Sequence, residues 1–312
     1  MSSQNKPSLE STLKSLDTEE FIDIHFYRPI GYRWALFFNK LGVTPNQITI
    51  ASIFIGVAAG ICYYFDNIWI NLVGVFLLIW ANSYDSADGQ LARMTGQKSV
   101  MGRILDGACG DFWFGSIYLA IVFRLWPEWS FWILVLALIT GYFHGRQAAM
   151  ADYYRNVHLL FLKGKSGSEL DNSKDLAEKY KKISWKKEPF VKFFEKSYLS
   201  YTKGQESWTP KLQQMLKVIN SKCNGTAPEW FRTAFRKESL PLMKYTNMLS
   251  FNLRSIVLFI SVLTGYPWAY FVFELTVLNI MLLYMVCKHE RICRNFTFEL
   301  EEKSLPLSAE KE

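Results

Sequence analysis

Three long stretches of this chain carry no charged side chain at all: between Lys40 and Asp66, between Asn67 and Tyr84, and between Ser255 and Phe273. A soluble core rarely isolates uncharged runs of about 20 residues, the length a helix needs to cross roughly 30 Å of hydrocarbon. Elsewhere the 312-residue chain is densely charged, which keeps its mean hydropathy at only +0.04 although half of its residues are apolar. That segregation excludes disordered, collagenous and disulfide-scaffold classes and predicts an all-α integral membrane protein. The five cysteines have no CxxC spacing and mostly lie in or beside apolar segments, so reduced, packed thiols are expected. The acidic, mixed N-terminus lacks the pattern of a cleaved signal peptide.

Six membrane spans are predicted: about 46–65, 68–84, 104–126, 129–142, 248–265 and 268–287, with Pro127 turning the chain into the fourth. Lys and Arg concentrate in the termini and in the loops after the second and fourth spans, which predicts that both termini are cytoplasmic. The boundaries expected are a flexible 1–18, an interfacial amphipathic helix within 19–45, catalytic spans over 46–151, a helical insertion over 152–246, a final hairpin over 247–288, and a tail over 289–312. From Gly145 to Thr246 there are 20 Lys/Arg against 10 Asp/Glu, in a protein whose net charge is +7. This basic insertion reads either as a positive-inside surface on anionic lipid or as a lid over a phosphate-containing site; nucleic acid is not an expected partner.

The chemistry concentrates in Asp85–Asp111, DSADGQLARMTGQKSVMGRILDGACGD. Asp85, Asp88, Asp106 and Asp111 fall where two apolar helices meet the cytoplasmic face, a costly place for carboxylates without partners or cations. No sulfur or imidazole ligand set accompanies them, so the donor set suits hard divalent ions such as Mg²⁺ or Mn²⁺. Asp85 and Asp88 share a helical face. Gly89 and Gly102 leave room beside the backbone, and Arg93 can face a phosphate. Acids, glycines and an arginine around a cation imply a pyrophosphate substrate.

Asp85-x2-Asp88-Gly89-x2-Ala92-Arg93-x8-Gly102-x3-Asp106 resembles the signature of the CDP-alcohol phosphotransferases. Tyr27-Arg28-Pro29 and Thr44-Pro45-Asn46-Gln47-Ile48-Thr49 resemble that family's approach to its first span. The resemblance covers roughly residues 20–150 and does not explain the insertion. It implies an enzyme of phospholipid synthesis in which Asp85, Asp88, Asp106 and a last aspartate bind two divalent cations. Asp88, Gly89, Ala92, Arg93 and Gly102 would contact the CDP moiety, the last aspartate would act as general base, and CMP would leave. It also implies a homodimer. An aspartate-rich membrane prenyltransferase would share the metal and the pyrophosphate but does not require Gly89-x2-Ala92-Arg93 or the fixed gap to Gly102.

One departure matters. The signature places its last Asp four residues after Asp106, where this chain has Gly110, and Asp111 follows. Five residues rotate a side chain about 140° around a regular helix, against about 40° for four. A π-bulge near Gly107–Gly110 is expected to bring Asp111 back as metal ligand and catalytic base; the alternative is a displaced Asp111 and an altered or inactive, lipid-binding scaffold. Arg254 and Glu274 either pair across the last hairpin, or Arg254, like Arg146, holds an acceptor phosphate. His144 and Asp152 read as interfacial polar residues, and His25, His158 and His289 show no ligand spacing. Gly164-Lys165-Ser166 lacks the first glycine of a nucleotide loop and reads as linker. Asn224-Gly225-Thr226 reads as an unmodified glycosylation triplet. The expected reaction moves a substituted phosphate from CDP-diacylglycerol to an alcohol such as inositol phosphate or glycerol phosphate, with CDP-choline-type or CDP-ethanolamine-type head-group transfer as the alternative. The expected location is a bacterial cytoplasmic membrane.

Overall fold

The computed structural model describes residues 8–303 except 14, 98, 99 and 224. Residues 1–7 of the expected N-terminal segment, 304–312 of the tail and Asn224 of the glycosylation triplet lie outside the described residues. Every regular element among those described is helical. Local chemistry sets the boundaries. Helix α1 (Arg28–Lys40) continues a π-turn at Asp23–Tyr27. Helix α2 (Pro45–Cys62) starts from a capping box: Gln47 Oε1 accepts from the Thr44 amide at 2.9 Å, and Pro45 occupies the first turn where its missing N–H costs nothing. Helix α3 (Ile68–Thr95) is capped by Asn67, whose Oδ1 accepts from the Trp69 and Ile70 amides. It ends at Gly96, which adopts the left-handed conformation.

Helix α4 (Val100–Trp129) carries Pro127 inside its last turn. The break falls three residues later, at Ser130, the non-glycine residue with a positive φ among those described. Pro127 therefore does not make the predicted turn: a proline lacks only its own N–H and clashes backwards, so the helix runs two residues past it. Helix α5 (Phe131–Lys163) ends at the left-handed Gly164.

The chain divides into two compact units. The first comprises Met1–Gly145 and Phe251–Val277. Its core joins α2, α3, α4 and the first half of α5 with α11 (Phe251–Leu263) and α12 (Trp268–Phe273). Gly56 and Gly60, one turn apart on α2, face Trp113 and Ser116 of α4; any Cβ there would collide with those side chains. Small residues at this spacing let two membrane helices approach closely. The approach is fixed by hydrogen bonds from Trp113 Nε1 to the Ser52 carbonyl and from Ser116 Oγ to the Val57 carbonyl, each 3.0 Å.

The second unit comprises Arg146–Ser250 and Leu278–Glu312. It contains the second half of α5, α6 (Ser173–Lys182), α7 (Pro189–Ser207), α8 (Pro210–Lys222), α9 (Glu229–Ser239), α10 (Met243–Met248) and α13 (Asn279–Lys303). Phe161, Phe231, Phe235 and Phe296 stack into its core. Glu290 of α13 accepts from the Lys211 and Leu212 amides at the start of α8, placing a carboxylate where the helix dipole favours one.

Among the described residues, five stretches are long and apolar enough to cross a bilayer: Pro45–Cys62, Ile68–Thr95, Ile104–Trp129, Glu229–Leu263 and Trp268–Glu302. Large apolar side chains on these helices remain uncovered, Phe54 and Trp69 by more than 70%. With hydrocarbon as solvent such faces are at home, and the chain is a multi-pass membrane protein. The predicted fourth span is the first half of α5, which is not one of the five. Its apolar run stops at His144, Arg146 and Gln147 while the helix continues unbroken.

Candidate active site

The acidic site lies within the first unit, at the ends of α3 and α4. Asp85 and Asp88 sit near the C-terminal end of α3, and Asp106 sits in the second turn of α4. Each offers a carboxylate oxygen, and these atoms all lie within 4.8 Å of one another. Asp88 is buried, Asp85 half-buried and Asp106 exposed. Three like charges this close repel one another in the absence of cations, and an all-oxygen donor set matches hard divalent ions. On those observations the residues fit the metal implied by the signature.

Residues beyond the aspartates hold this arrangement. The Thr49 hydroxyl of α2 donates to Asp88 Oδ2 at 2.5 Å, which fixes the most buried carboxylate. Arg93 lies within electrostatic reach of Asp88 and Asp106. Its Nε donates to the Thr12 carbonyl, while Nη2 is buried without a hydrogen-bond partner among the described residues. Thr12, Ser15 and Thr18, within the segment read as a flexible N-terminus, are buried. Arg28 makes a two-pronged pair with Glu19 (2.9 and 3.1 Å) and reaches Ser86 Oγ at 3.4 Å. Its carbonyl accepts from Gln90 at 3.1 Å. Gly89 and Ala92 lie on the same end of α3 as Arg93, and Gly102 opens α4.

The sequence reading missed the parts played by Thr12, Glu19 and Ser86. Thr49 did carry a signal, since it closes the Thr44–Thr49 run already picked out.

Asp111 departs from expectation. Helix α4 is α-helical from Val100 to Trp129, so the predicted π-bulge at Gly107–Gly110 is absent; π-turns occur instead at Asp23–Tyr27 and Glu274–Leu278. Without the extra residue in the turn, Asp111 stays about 140° from Asp106. It is exposed and is not one of the three clustered acids. By helical spacing it shares a face with Phe114 and Tyr118, both of which contact His144. At Gly110, where the signature carries its last Asp, an added Cβ would meet nothing within 4 Å.

The other candidates separate. Arg254 pairs with Glu274 at 2.8 Å, the first of the two alternatives, and both are almost completely buried. Tyr118 donates to Glu274 at 2.6 Å, Tyr270 donates to its other oxygen, and His144 Nδ1 lies 2.8 Å from Arg254 Nη1. His144 thus belongs to a buried network rather than to an interface. Arg146, in the second unit, lies against Gly204 of α7. Asp152 accepts from Asn156 at 3.0 Å and from Tyr201 at 3.5 Å.

Comparison with known proteins agrees with this arrangement. A family model described as CDP-alcohol phosphatidyltransferase matches residues 42–157. The chain is 35% identical over 103 residues to the archaetidylinositol phosphate synthase of Pyrococcus horikoshii. That match covers 33% of this chain and 52% of the relative, so the chain spans about half the length of that curated protein. No solved structure matches the chain. With the signature spacing and the clustered carboxylates beside it, the family match leads to one conclusion: residues 42–157 of this chain are similar to a CDP-alcohol phosphatidyltransferase domain.

Proposed function

We propose that this protein transfers a substituted phosphate group from a CDP-linked donor, CDP-diacylglycerol, to an alcohol and releases CMP. The observation that carries this reading is the convergence of Asp85, Asp88 and Asp106 within 4.8 Å at the signature spacing. Two divalent ions bound there, Mg²⁺ or Mn²⁺, supply charge neutralisation on the pyrophosphate. The chain's own residues do the rest. Asp85, Asp88 and Asp106 hold and orient the ions, and Thr49 keeps Asp88 in place. Arg93 offers its buried Nη2 to a phosphate oxygen. Gly89, Ala92 and Gly102 line the approach of the cytidine and the phosphates. The acceptor oxygen attacks phosphorus as the bond to the CMP oxygen breaks. Asp111 takes the acceptor's proton from the Phe114–Tyr118 face of α4 and is not proposed as a metal ligand.

The acceptor proposed is a phosphorylated polyol, inositol phosphate or glycerol phosphate. The relative's name, a synthase of archaetidylinositol phosphate, supports this, as does the excess of Lys and Arg over residues 145–246. In the membrane, the first half of α5 supplies a sixth span, α1 lies in the headgroup plane, and both termini and the 152–246 insertion face the cytoplasm. Homodimerisation and a bacterial cytoplasmic membrane enter this reading from the family likeness and the charge pattern alone.

A matrix of donors and acceptors on the purified protein with Mn²⁺, read as CMP and lipid product, tests the proposal. Turnover of CDP-diacylglycerol with a phosphorylated polyol is expected; turnover of CDP-choline with diacylglycerol instead would reverse the donor assignment. A second reading, a lipid-binding scaffold descended from such enzymes, is favoured by the missing carboxylate at Gly110. It predicts no CMP from any pair.

A further inference from the structure

The segment before α1 reads in the sequence as a flexible tail, yet Thr12 is completely buried and Ser15 and Thr18 nearly so. A single 3₁₀ turn, Glu10–Thr12, shapes its start. The Thr12 hydroxyl donates to the Leu9 carbonyl at 2.6 Å, and the Leu13 amide donates to the Glu10 carbonyl at 3.2 Å. The last carbonyls of so short a turn have no partner within it, so the Thr12 carbonyl is left to accept from elsewhere. It accepts from Arg93 Nε, at the C-terminal end of α3. The far end of the segment is tied down as well. Glu19 takes the two-pronged pair with Arg28. Glu20 Oε2 and Asp23 Oδ1 accept from Asn252 Nδ2 of α11 at 2.8 and 3.0 Å.

The kind of partner decides what the Thr12–Arg93 contact does. Arg28 is matched by a carboxylate, which compensates its charge. Arg93 is held at Nε by a neutral carbonyl, which fixes the plane of the guanidinium and leaves its charge for an anion. Its Nη1 lies over Gly89, where an added Cβ would come 3.4 Å from it. Its Nη2, buried without a hydrogen-bond partner among the described residues, calls for an acceptor. Asp88 and Asp106 are within electrostatic reach of the same side chain. We infer that residues 9–13 form a wall of the donor site, with the Thr12 carbonyl as the backbone group that orients Arg93 toward the donor's phosphates. The inference rests on the CDP-linked donor proposed above. It makes the N-terminal segment a positioning element with no contact of its own to the reacting atoms.

Hydrogen exchange on the 312-residue protein in detergent tests the contact without any substrate. Amides of residues 9–13 are expected to exchange at least about tenfold faster in Arg93→Met than in wild type, because a hydrogen bond from a charged group holds them. Equal exchange would overturn the inference. The second arm is isothermal titration with CDP in the presence of Mn²⁺. Deleting residues 1–13 is expected to weaken CDP binding about tenfold, to leave Mn²⁺ affinity unchanged, and to add nothing once Arg93→Met is present. Thermal unfolding curves establish that each protein is folded; where the truncated one is not, the exchange experiment decides alone. Undiminished CDP affinity in the truncated protein would overturn the inference. So would an equal further loss in the Arg93→Met background, since a general loosening of the fold acts with or without that arginine. Wild-type protein that binds Mn²⁺ but no CDP would overturn the donor reading itself, and this inference with it.

Discussion

The first unit contains two polar inclusions among its apolar helices, and they are built on opposite principles. Around Glu274, one carboxylate is matched by Arg254, Tyr118, Tyr270 and the ring of His144, and the pair at its centre is almost completely buried. Around Asp88, three carboxylates converge, with a hydroxyl from Thr49 steadying one of them. The Glu274 network balances charge internally and gives the hairpin of α11 and α12 a polar tie. The Asp88 cluster gathers three carboxylates, whose mutual repulsion bound cations would relieve. An intramembrane acid therefore does not by itself mark a reaction centre; what separates the two inclusions is that one centres on a single acid paired with an arginine and the other brings three acids within 4.8 Å of one another.

The sharpest way to break this comparison is to neutralise one member of each inclusion. Asp88→Asn is expected to lower CMP release by about a thousandfold, since several kcal/mol of charge stabilisation depends on the bound metal. The protein's unfolding temperature should stay near that of wild type. Comparable activity in the variant would remove the carboxylate cluster from the chemistry. Glu274→Ala should do the reverse, costing about 3–5 kcal/mol of stability because it strands a buried arginine. Thermal unfolding in detergent measures this, and an unshifted transition would mean the network is not a structural tie.

Smaller effects sharpen the picture. Thr49→Val removes the hydroxyl that steadies Asp88, and the expected loss of Mn²⁺ affinity is about 10–100-fold, as for other groups that orient metal ligands. Isothermal titration with Mn²⁺ would register it, and an unaltered affinity would show the hydroxyl to be incidental. Gly110→Asp restores the signature carboxylate into open space. If proton removal limits turnover, the gain should approach the ~10²-fold typical of a placed general base. No gain, combined with a loss on Asp111→Asn, would assign that role to Asp111. Asp111→Asn with undiminished CMP release would remove it from the mechanism.

The acid site was largely legible in the sequence because its key relations are local. Asp85 and Asp88 are three residues apart, and their sharing of a face follows from helical period alone. Glycine and asparagine likewise mark the ends of α3 through local backbone preference. Two expectations failed for a related reason. The π-bulge was inferred from the cost of an unpaired Asp111 at membrane depth, yet α4 is a regular helix there, and by helical spacing Asp111 stays on the face that carries Phe114 and Tyr118. Pro127 was given the turn that Ser130 makes, because a proline near a helix end can remain inside the last turn.

What the sequence determined by itself was the medium and the domain: long uncharged runs require hydrocarbon around helices, and fixed spacing in one 22-residue motif carries the family signature. Tertiary structure alone decided which partner each polar group takes. Thr49 and Asp88 are 39 residues apart, Thr12 and Arg93 81, and Tyr118 and Glu274 156. No periodicity links such positions; only the packing of one helix against another brings a hydroxyl to one acid and an arginine to a different one.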